Sequence, residues 1–328
     1  MKKLFFYVSL SALLSFASCC NNAVTTTSPV QLIFDTDMGP DYDDVGALTL
    51  LHALADSGEV NILATVSSNI NELVVPCIDV INHYYGRSDI PIGAPRTGVD
   101  LGAWHQEKWT EALPAKFPHN YKSTSDAPDA VQVYRRILAE AEDSSVVIVT
   151  VGFLTNLANL LQSPADEYSE LNGKQLVAKK VNHLVSMAGG FPQGREFNVF
   201  CDSEASGIVF ELWATPIIFS GFEIGSQIFT GKELVASNIQ NTPAKETYTM
   251  CLRQDNPEGR ESWDQTAVLV AVRGAEKYFN TVKGRIVVES DGSNTWQDNP
   301  NDKHEYLTWK MPIDELTKVI EGMMAIEN

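Results

Sequence analysis

Short apolar runs of strand length alternate with helical patterns along most of the chain, and this alternation restricts the fold more than any other feature of the sequence. Residues 146–151 are apolar apart from Thr150 and rich in β-branched side chains, as in strands that are buried on both faces. Strands that are separated by helices pair in parallel, because each connection must cross the sheet. We therefore predict an α/β fold, a single doubly wound domain with a mostly parallel central sheet.

The boundaries of the elements follow from the same patterns. Strands are predicted at residues 31–34, 61–67, 146–151, 181–187, 216–220 and 285–289. Helices are predicted at residues 43–55, 72–85, 154–161, 263–273 and 313–324, and another begins at Asp202, a typical N-cap residue. Ligands of such sheets bind at the carboxyl ends of the parallel strands, so a functional site is expected in the loops there.

The first residues are typical of export rather than of a folded domain. Residues 1–18 combine a cationic start, an apolar stretch and small residues, the pattern of a secretory signal that is too short for a comfortable membrane span. The stretch resembles a bacterial lipoprotein signal, which predicts acylation of Cys19. Acylation of Cys20, or an ordinary cleaved signal with incidental cysteines, are the alternatives. We expect an exported lipoprotein, in the periplasm or anchored at the outer membrane.

The rest of the chain is expected to be a tethered globular domain. Residues 19–29 are polar and predict a flexible tether, and one domain is expected over residues 30–328. The formal net charge of −18 argues against nucleic-acid binding, because so negative a chain repels phosphate backbones. The expected partners are a small molecule and, through the lipid anchor alone, a membrane. A homo-oligomer stays open.

A dense acidic turn follows the first predicted strand. Five carboxylates fall within ten residues: Asp35, Asp37, Asp41, Asp43 and Asp44. Like charges this close do not all ionise in a folded site unless a cation neutralises them or their pKa values rise. No Lys or Arg lies in this segment or beside it. A hard divalent cation, Ca²⁺ or Mg²⁺, is the simplest partner for a set of carboxylate oxygens.

Three alternative roles for the acidic turn fit its residues less well. In an EF-hand loop, Pro40 would replace the obligatory glycine and Gly46 the bidentate glutamate. The phosphotransferases that resemble haloacid dehalogenase begin with a nucleophilic aspartate, like Asp35, but carry a threonine where Gly39 stands. A solvated acidic turn without a ligand is the remaining alternative.

The order of several motifs carries a family resemblance. The acidic turn reads Asp35-Thr36-Asp37-Met38-Gly39, with Asp43-Asp44 four residues further on. This pattern resembles the N-terminal signature of the inosine–uridine-preferring nucleoside hydrolase family. Further segments resemble motifs of that family in the same order: Ser68-Asn69, residues 151–156, residues 187–190, residues 196–205 and Trp263-Asp264.

The resemblance implies a nucleoside-hydrolase-like fold and a Ca²⁺-dependent N-glycosyl hydrolase. It assigns the Ca²⁺ ligands to Asp37, Asp44, the backbone carbonyl of Val151 and Asp264. Asp37 would also be the general base that activates a metal-bound water. Such a reaction passes through a transition state that resembles a ribosyl cation.

The resemblance also implies residues that bind the substrate. Asp43, Asn69, Glu196 and Asn198 would hold sugar hydroxyls. Trp263 stands where part of the family has a histidine that protonates the leaving base. An indole is no acid at neutral pH, although it can stack on a flat base.

Several roles stay open from the sequence alone. Arg195 or a loop residue could supply the acid that Trp263 cannot. The loop that holds Trp104 and His105 is a candidate to enter the pocket. Asp41 could be a structural acid, a partner of a ligand or an alternative ligand. The base preference cannot be derived.

The expected function is thus hydrolysis of ribonucleosides to free base and ribose, for purine or pyrimidine salvage outside the cytoplasm. Two alternatives remain on the same fold. One is a non-catalytic lipoprotein that binds a sugar or nucleoside. The other is a hydrolase of a different ribosyl-like glycoside.

Overall fold

The computed structural model describes residues 1, 28–106 and 108–326. The predicted signal beyond Met1, both N-terminal cysteines (Cys19 and Cys20) and all but the end of the predicted tether lie outside the described residues. Within the described part, none of the helices combines the length and the apolar character that a membrane crossing requires.

Twelve β-strands form within the described ranges, and the longer ones of the parallel part come from the apolar runs of the sequence. In chain order they are β1 (Val30–Thr36), β2 (Val60–Ser67), β3 (Ile92–Gly93), β4 (Val146–Thr150), β5 (Val181–Met187), β6 (Gln193–Gly194), β7 (Ile217–Ser220), β8 (Phe229–Thr230), β9 (Arg260–Glu261), β10 (Phe279–Val288), β11 (Asn294–Asp298) and β12 (His304–Trp309).

Thirteen α-helices connect and flank these strands in the same ranges. They are α1 (Asp43–Asp56), α2 (Val74–Tyr84), α3 (Trp109–Lys116), α4 (Ala130–Glu140), α5 (Thr155–Gln162), α6 (Gly173–Lys180), α7 (Phe197–Cys201), α8 (Ser203–Leu212), α9 (Phe222–Gly225), α10 (Lys232–Ala236), α11 (Pro243–Cys251), α12 (Trp263–Arg273) and α13 (Ile313–Met324).

One large sheet organises the molecule. Its strand order is β3-β2-β1-β4-β5-β7-β12-β10-β11-β6, and β8 pairs with β9 in a separate two-stranded sheet. Neighbouring strands from β3 to β12 run parallel, whereas β10 and β11 add an antiparallel extension. The predicted α/β fold with a mostly parallel central sheet is confirmed.

Each face of the sheet carries its own apolar cluster, because successive strand residues point to opposite sides. In β1, Leu32 and Phe34 belong to one cluster and Ile33 to the other, and all three are fully buried. Helices α1, α2, α12 and α13 cover the first cluster, and α4, α5, α6 and α8 cover the second. This two-sided burial places the carboxyl ends of the central strands at one open edge.

The predicted elements match the structure closely in the parallel half. The strand at 181–187 and the helices at 263–273 and 313–324 have the predicted bounds. Asp202 is the N-cap of α8, and its side chain accepts a hydrogen bond from the backbone N–H of Ala205 at 3.2 Å. The strand predicted at 285–289 is shorter than the observed one, since it covers only the end of β10. The full strand β10 pairs with β11 and β12.

Candidate active site

A cavity lies where β1, β4 and β5 end. Seven of the sequence-predicted site residues line it: Asp37, Asp43, Val151, Glu196, Asn198, Trp263 and Asp264. Its volume is about 220 Å³, which is several times the roughly 30 Å³ that one water takes up in the liquid. The space therefore suits a small organic ligand as well as an ion.

Two glycines allow the backbone to build this cavity. Gly39 follows β1 and has a φ of +148°, in the region that favours glycine, so the chain can turn back toward α1. Gly152 follows β4, and a Cβ there would lie 2.4 Å from the backbone nitrogen of Asp37. The loop after β4 can therefore approach the acidic turn only because residue 152 has no side chain.

Two helix N-termini meet at the acidic turn. Asp43 and Asp44 lie in the first turn of α1, and Asp264 lies in the first turn of α12, which packs against α1. The backbone N–H of Asp264 contacts Asp43 Oδ2 at 3.4 Å. The partial positive charge at helix N-termini favours carboxylates there, which offsets part of their mutual repulsion.

The three carboxylates predicted as metal ligands are buried together. Burial is the largest cause that raises the pKa values of Asp37, Asp44 and Asp264, and repulsion from neighbouring aspartates adds to it. Thr36 donates its hydroxyl to Asp44, but in the described chain no Lys or Arg forms an ion pair with any of these three. Buried carboxylate oxygens without a cationic partner are the donor set that a hard divalent cation prefers.

Arg260 brings a cationic side chain to the acidic turn from a distant part of the sequence. Its Nη2 contacts Asp41 Oδ2 at 2.6 Å and Asp43 Oδ1 at 3.2 Å. Burial raises the pKa of Asp43 to about 7, although Arg260 acts in the opposite direction. Arg260 and Asp43 are 217 positions apart in the sequence, so their contact could not be predicted from neighbouring residues. Strand β9 brings Arg260 to the acidic turn. Asp41 thus pairs with Arg260, and it also lines the cavity.

The acidic turn holds a second close set of oxygens. One carboxylate oxygen each of Asp41, Asp43 and Asp44 lie within 4.8 Å of one another. Asp44 belongs to both this set and the predicted ligands, while Arg260 already binds the other two. Asp44 is therefore the member of this close set that has no cationic side chain beside it.

Asn198 connects the ends of two strands. Its side-chain amide donates to the carbonyl of Val151 at 2.9 Å and to that of Met187 at 3.1 Å. Val151 in turn donates its N–H to the carbonyl of Asp35 at 2.8 Å. The predicted carbonyl ligand is thus fixed in place from both sides.

Glu196 is the N-cap of α7. Its carboxylate accepts backbone N–H groups from Asn198 at 2.7 Å, Gly189 at 3.0 Å and Val199 at 3.2 Å. Burial raises its pKa to about 7, although these hydrogen bonds act in the opposite direction. The side chain is 5% exposed and lines the cavity, so it can accept from a ligand in addition to capping the helix.

Asn69 has a different place from the one expected. Its amide donates to the carbonyls of Asp37 at 3.1 Å and Leu101 at 2.7 Å, and it accepts from the N–H groups of Asn71 and Leu101. Asn69 is fully buried and is not among the residues that line the cavity. Its contacts hold the backbone under Asp37.

Aromatic side chains form the outer wall of the cavity. Trp263 stacks on Phe222 with ring centroids 5.3 Å apart, and its indole N–H donates to the carbonyl of Phe222 at 2.8 Å. Trp104 is 56% exposed and meets Phe197 edge to face. All four line the cavity, which therefore has an acidic floor and an apolar mouth.

Two open candidates from the sequence lie outside this lining. His105 pairs with Asp255 at 2.8 Å and joins two loops at the rim. Arg195 donates its Nε to the carbonyl of Asp291 at 2.8 Å and lies over the ring of Phe200. Neither lines the cavity, whereas Arg260 does. The sequence signal that could have identified Arg260 is its position three residues before the Trp263-Asp264 motif.

Comparisons with known proteins identify the family of the chain. The family model "Inosine-uridine preferring nucleoside hydrolase" matches residues 32–315. A protein of that name from Leishmania major is 27% identical over 201 residues, which cover 58% of this chain and 60% of that protein. The pyrimidine-specific ribonucleoside hydrolase RihA of Enterobacter sp. (strain 638) is 31% identical over 211 residues, which cover 59% of this chain and 60% of that protein.

Solved structures share the fold. The plant nucleoside hydrolase PpNRh1 has a TM-score of 0.67 at 21% identity, and the alignment covers 91% of this chain and 100% of that chain. A nucleoside hydrolase from Bacillus anthracis has a TM-score of 0.68 at 16% identity, and the alignment covers 90% of this chain and 99% of that chain. The chain thus aligns with about 60% of the Leishmania and Enterobacter sequences, while the family model spans nearly all of the described domain. The chain belongs to the inosine-uridine preferring nucleoside hydrolase family.

Proposed function

We propose that this protein hydrolyses the N-glycosidic bond of ribonucleosides to free base and ribose, with one bound Ca²⁺. The observation that carries the proposal is a single cavity in which buried carboxylates without an ion pair meet hydroxyl-binding groups and an aromatic wall. Family membership supplies the reaction class.

The ion would be held by Asp37, Asp44, Asp264 and the carbonyl of Val151. When bound, Ca²⁺ supplies charge that lowers the pKa of a coordinated water and binds vicinal sugar hydroxyls. An oxygen-rich, carboxylate-dominated set suits this ion better than a softer metal. The choice of Ca²⁺ over Mg²⁺ is the finer part of the proposal.

Asp37 would take the proton from the attacking water. Asp37 lies at the floor of the cavity, beside the loop of Gly152. A water that contacts its carboxylate would therefore also lie close to a nucleoside bound in the cavity. A positioned general base typically contributes a factor of about 10²–10⁴ to the rate. The surrounding carboxylates would stabilise the positive charge that develops on the sugar.

The substrate would be oriented by both walls. Asp43 and Glu196 offer acceptor oxygens for sugar hydroxyls. The donors of Asn198 are taken by backbone carbonyls, which leaves its side-chain oxygen as an acceptor. On the opposite wall, Trp104 and Trp263 would contact the flat base, as aromatic rings do.

We also propose export and anchoring. Acylation of Cys19 would place the domain 30–328 outside the cytoplasm, on the tether 19–29. Metabolic labelling with a fatty-acid probe tests this, with Cys19→Ser and Cys20→Ser as the matched variants. Loss of label only in Cys20→Ser would move the acylation site, and no label in the wild type would remove the anchor.

Sugar release from a nucleoside panel tests the function. We expect reducing sugar from at least one ribonucleoside, loss of the activity with a chelator and recovery with Ca²⁺. Asp37→Asn should lower turnover by a factor of about 10²–10⁴, whereas Asp89→Asn, an exposed aspartate, should not. Thermal stabilisation by nucleosides without any turnover would instead indicate a receptor. Turnover of a nitrophenyl riboside alone would indicate another ribosyl-like substrate.

A further inference from the structure

The leaving base needs a partner that the sequence did not identify. When the bond between C1′ and the base nitrogen breaks, both bonding electrons stay with the base, so negative charge develops on it. A general acid or a hydrogen-bond donor must stabilise that charge. The following inference rests on the proposed function and concerns this step.

Most side chains around the cavity cannot act as that donor. Five of them are carboxylic acids: Asp41 pairs with Arg260, and the other four are assigned above to the ion, the attacking water and the sugar hydroxyls. The amide donors of Asn198 are bound to the carbonyls of Val151 and Met187. The indole N–H of Trp263 is bound to the carbonyl of Phe222 at 2.8 Å. Among the polar side chains described around the cavity, Arg260 and the exposed, uncharged indole of Trp104 are left.

Arg260 has a terminal amino group that can still donate, and a fixed position. Its Nε and Nη2 contact Asp43 at 3.3 and 3.2 Å, and Nη2 also contacts Asp41 at 2.6 Å. Its Nη1 lies 3.6 Å from the carboxylate of Glu261, which is beyond a good hydrogen bond. The contacts with Asp41 and Asp43 hold the fork in place, and the side chain, 13% exposed, lines the cavity.

The guanidinium of Arg260 also contacts the aromatic wall of the cavity. Arg260 Cζ lies 5.0 Å from the ring centroid of Trp263, within the distance of a cation–π contact. Trp263 belongs to the wall that we assign to the base. We propose that Arg260 is a catalytic residue that hydrogen-bonds the departing base and stabilises it as an anion.

The step balances without an acid in the site. The C1′–N bond breaks with its electron pair on the base, and the charge spreads to a ring carbonyl oxygen that accepts from Arg260. The oxygen of the attacking water forms the new bond to C1′, and its proton goes to Asp37. The base takes a proton from solvent after release, and Asp37 returns its proton to solvent.

Arg260→Gln assayed on two substrates tests the inference. Uridine needs help for its leaving base, whereas p-nitrophenolate leaves readily from p-nitrophenyl β-ribofuranoside. We expect kcat on uridine to fall by a factor of about 10², as for loss of one oxyanion donor, and kcat on the nitrophenyl riboside to fall by less than about 5. Arg253→Gln, an exposed arginine on the preceding segment, should match the wild type on both.

The remaining outcomes separate this inference from the proposed function. Equal losses on both substrates would mean that Arg260 only orients Asp43, and an unchanged rate on uridine would remove any role; either result overturns the inference but leaves the hydrolase intact. A wild type that cleaves neither the nitrophenyl riboside nor any ribonucleoside of the panel would overturn the proposed function as well. If Arg260→Gln fails to fold, Arg260→Lys keeps the charge but loses the fork, and its uridine rate should still fall more than its nitrophenyl riboside rate.

Discussion

Replacing Glu196 with glutamine should change how the stability of the protein depends on pH. Burial raises the pKa of Glu196 from its ordinary value of 4.5 to about 7 in the folded protein. Between these values the folded protein holds a proton that the unfolded chain has released. The folded state therefore loses stability as the pH rises from about 4.5 to 7, and the loss is complete above that.

The size of the effect follows from the two pKa values. Between pH 5.5 and 7.5, the unfolded carboxyl is ionised throughout, while the folded one goes from mostly protonated to mostly ionised. This linkage lowers the free energy of unfolding of the wild type by about 2 kcal/mol over that interval. Glu196→Gln removes this contribution, since an amide does not titrate.

Urea denaturation at pH 5.5 and 7.5, with chelator present, measures this difference. Glutamine cannot accept all three backbone N–H groups that Glu196 caps, so the variant is less stable at both pH values. That cost is nearly independent of pH and cancels in the comparison. The gap between wild type and variant should therefore shrink by about 2 kcal/mol from pH 5.5 to 7.5.

The matched control is Glu170→Gln, at an exposed position, which should follow the wild type at both pH values. A gap between wild type and Glu196→Gln that stays constant within about 0.5 kcal/mol would refute the reasoning, because that limit lies well below the expected linkage. Glu196 would then titrate in the folded protein as it does in the unfolded chain.

Three further predictions concern the ion, a histidine and a glycine. Ca²⁺ at 100 times its Kd should stabilise the chelator-treated protein by about 2.7 kcal/mol. For a domain of this length that corresponds to a rise in Tm of about 4 °C, which calorimetry measures. Asp264→Asn should abolish the rise, and a full rise in that variant would exclude Asp264 as a ligand. Burial lowers the pKa of His52 to about 3. Protonation of His52 therefore favours the unfolded chain below about pH 6.5, and the stability of the wild type relative to His52→Gln should fall by about 2 kcal/mol from pH 7.5 to 5; a difference between the two proteins that stays constant over this interval would contradict the burial argument. Gly152→Ala should reduce kcat strongly, since its Cβ would meet the backbone of Asp37 at 2.4 Å, and wild-type turnover would show that the two loops can separate.

The parallel half of the fold was predictable because its signals are local. A run such as Val146–Thr150 is β-branched at every position, and the N-cap Asp202 marks a helix start without reference to the rest of the chain. The antiparallel extension was not predictable in the same way. β11 and β12 are rich in polar residues, and three of the five residues of β11 are exposed, so only their pairing with neighbouring strands identifies them as strands.

The candidate site shows the same division. Asp37, Asp43 and Asp44 share one short acidic turn, and family motifs brought in Glu196, Asn198 and Asp264, which line the same cavity as Asp37. Arg260 was missed because its role depends on β9, a two-residue strand that pairs only with β8. Asn69 was assigned to the sugar, but its amide is used by the backbone of neighbouring loops. Contacts that depend on long-range packing cannot be deduced from motif order.

The most direct test of the central claim is an anomalous-difference map from crystals grown with Ca²⁺. We predict one strong peak with oxygens of Asp37, Asp44, Asp264 and the Val151 carbonyl at about 2.3–2.6 Å. No peak in the cavity at saturating Ca²⁺, or a peak whose ligands exclude Asp37 and Asp264, would contradict it.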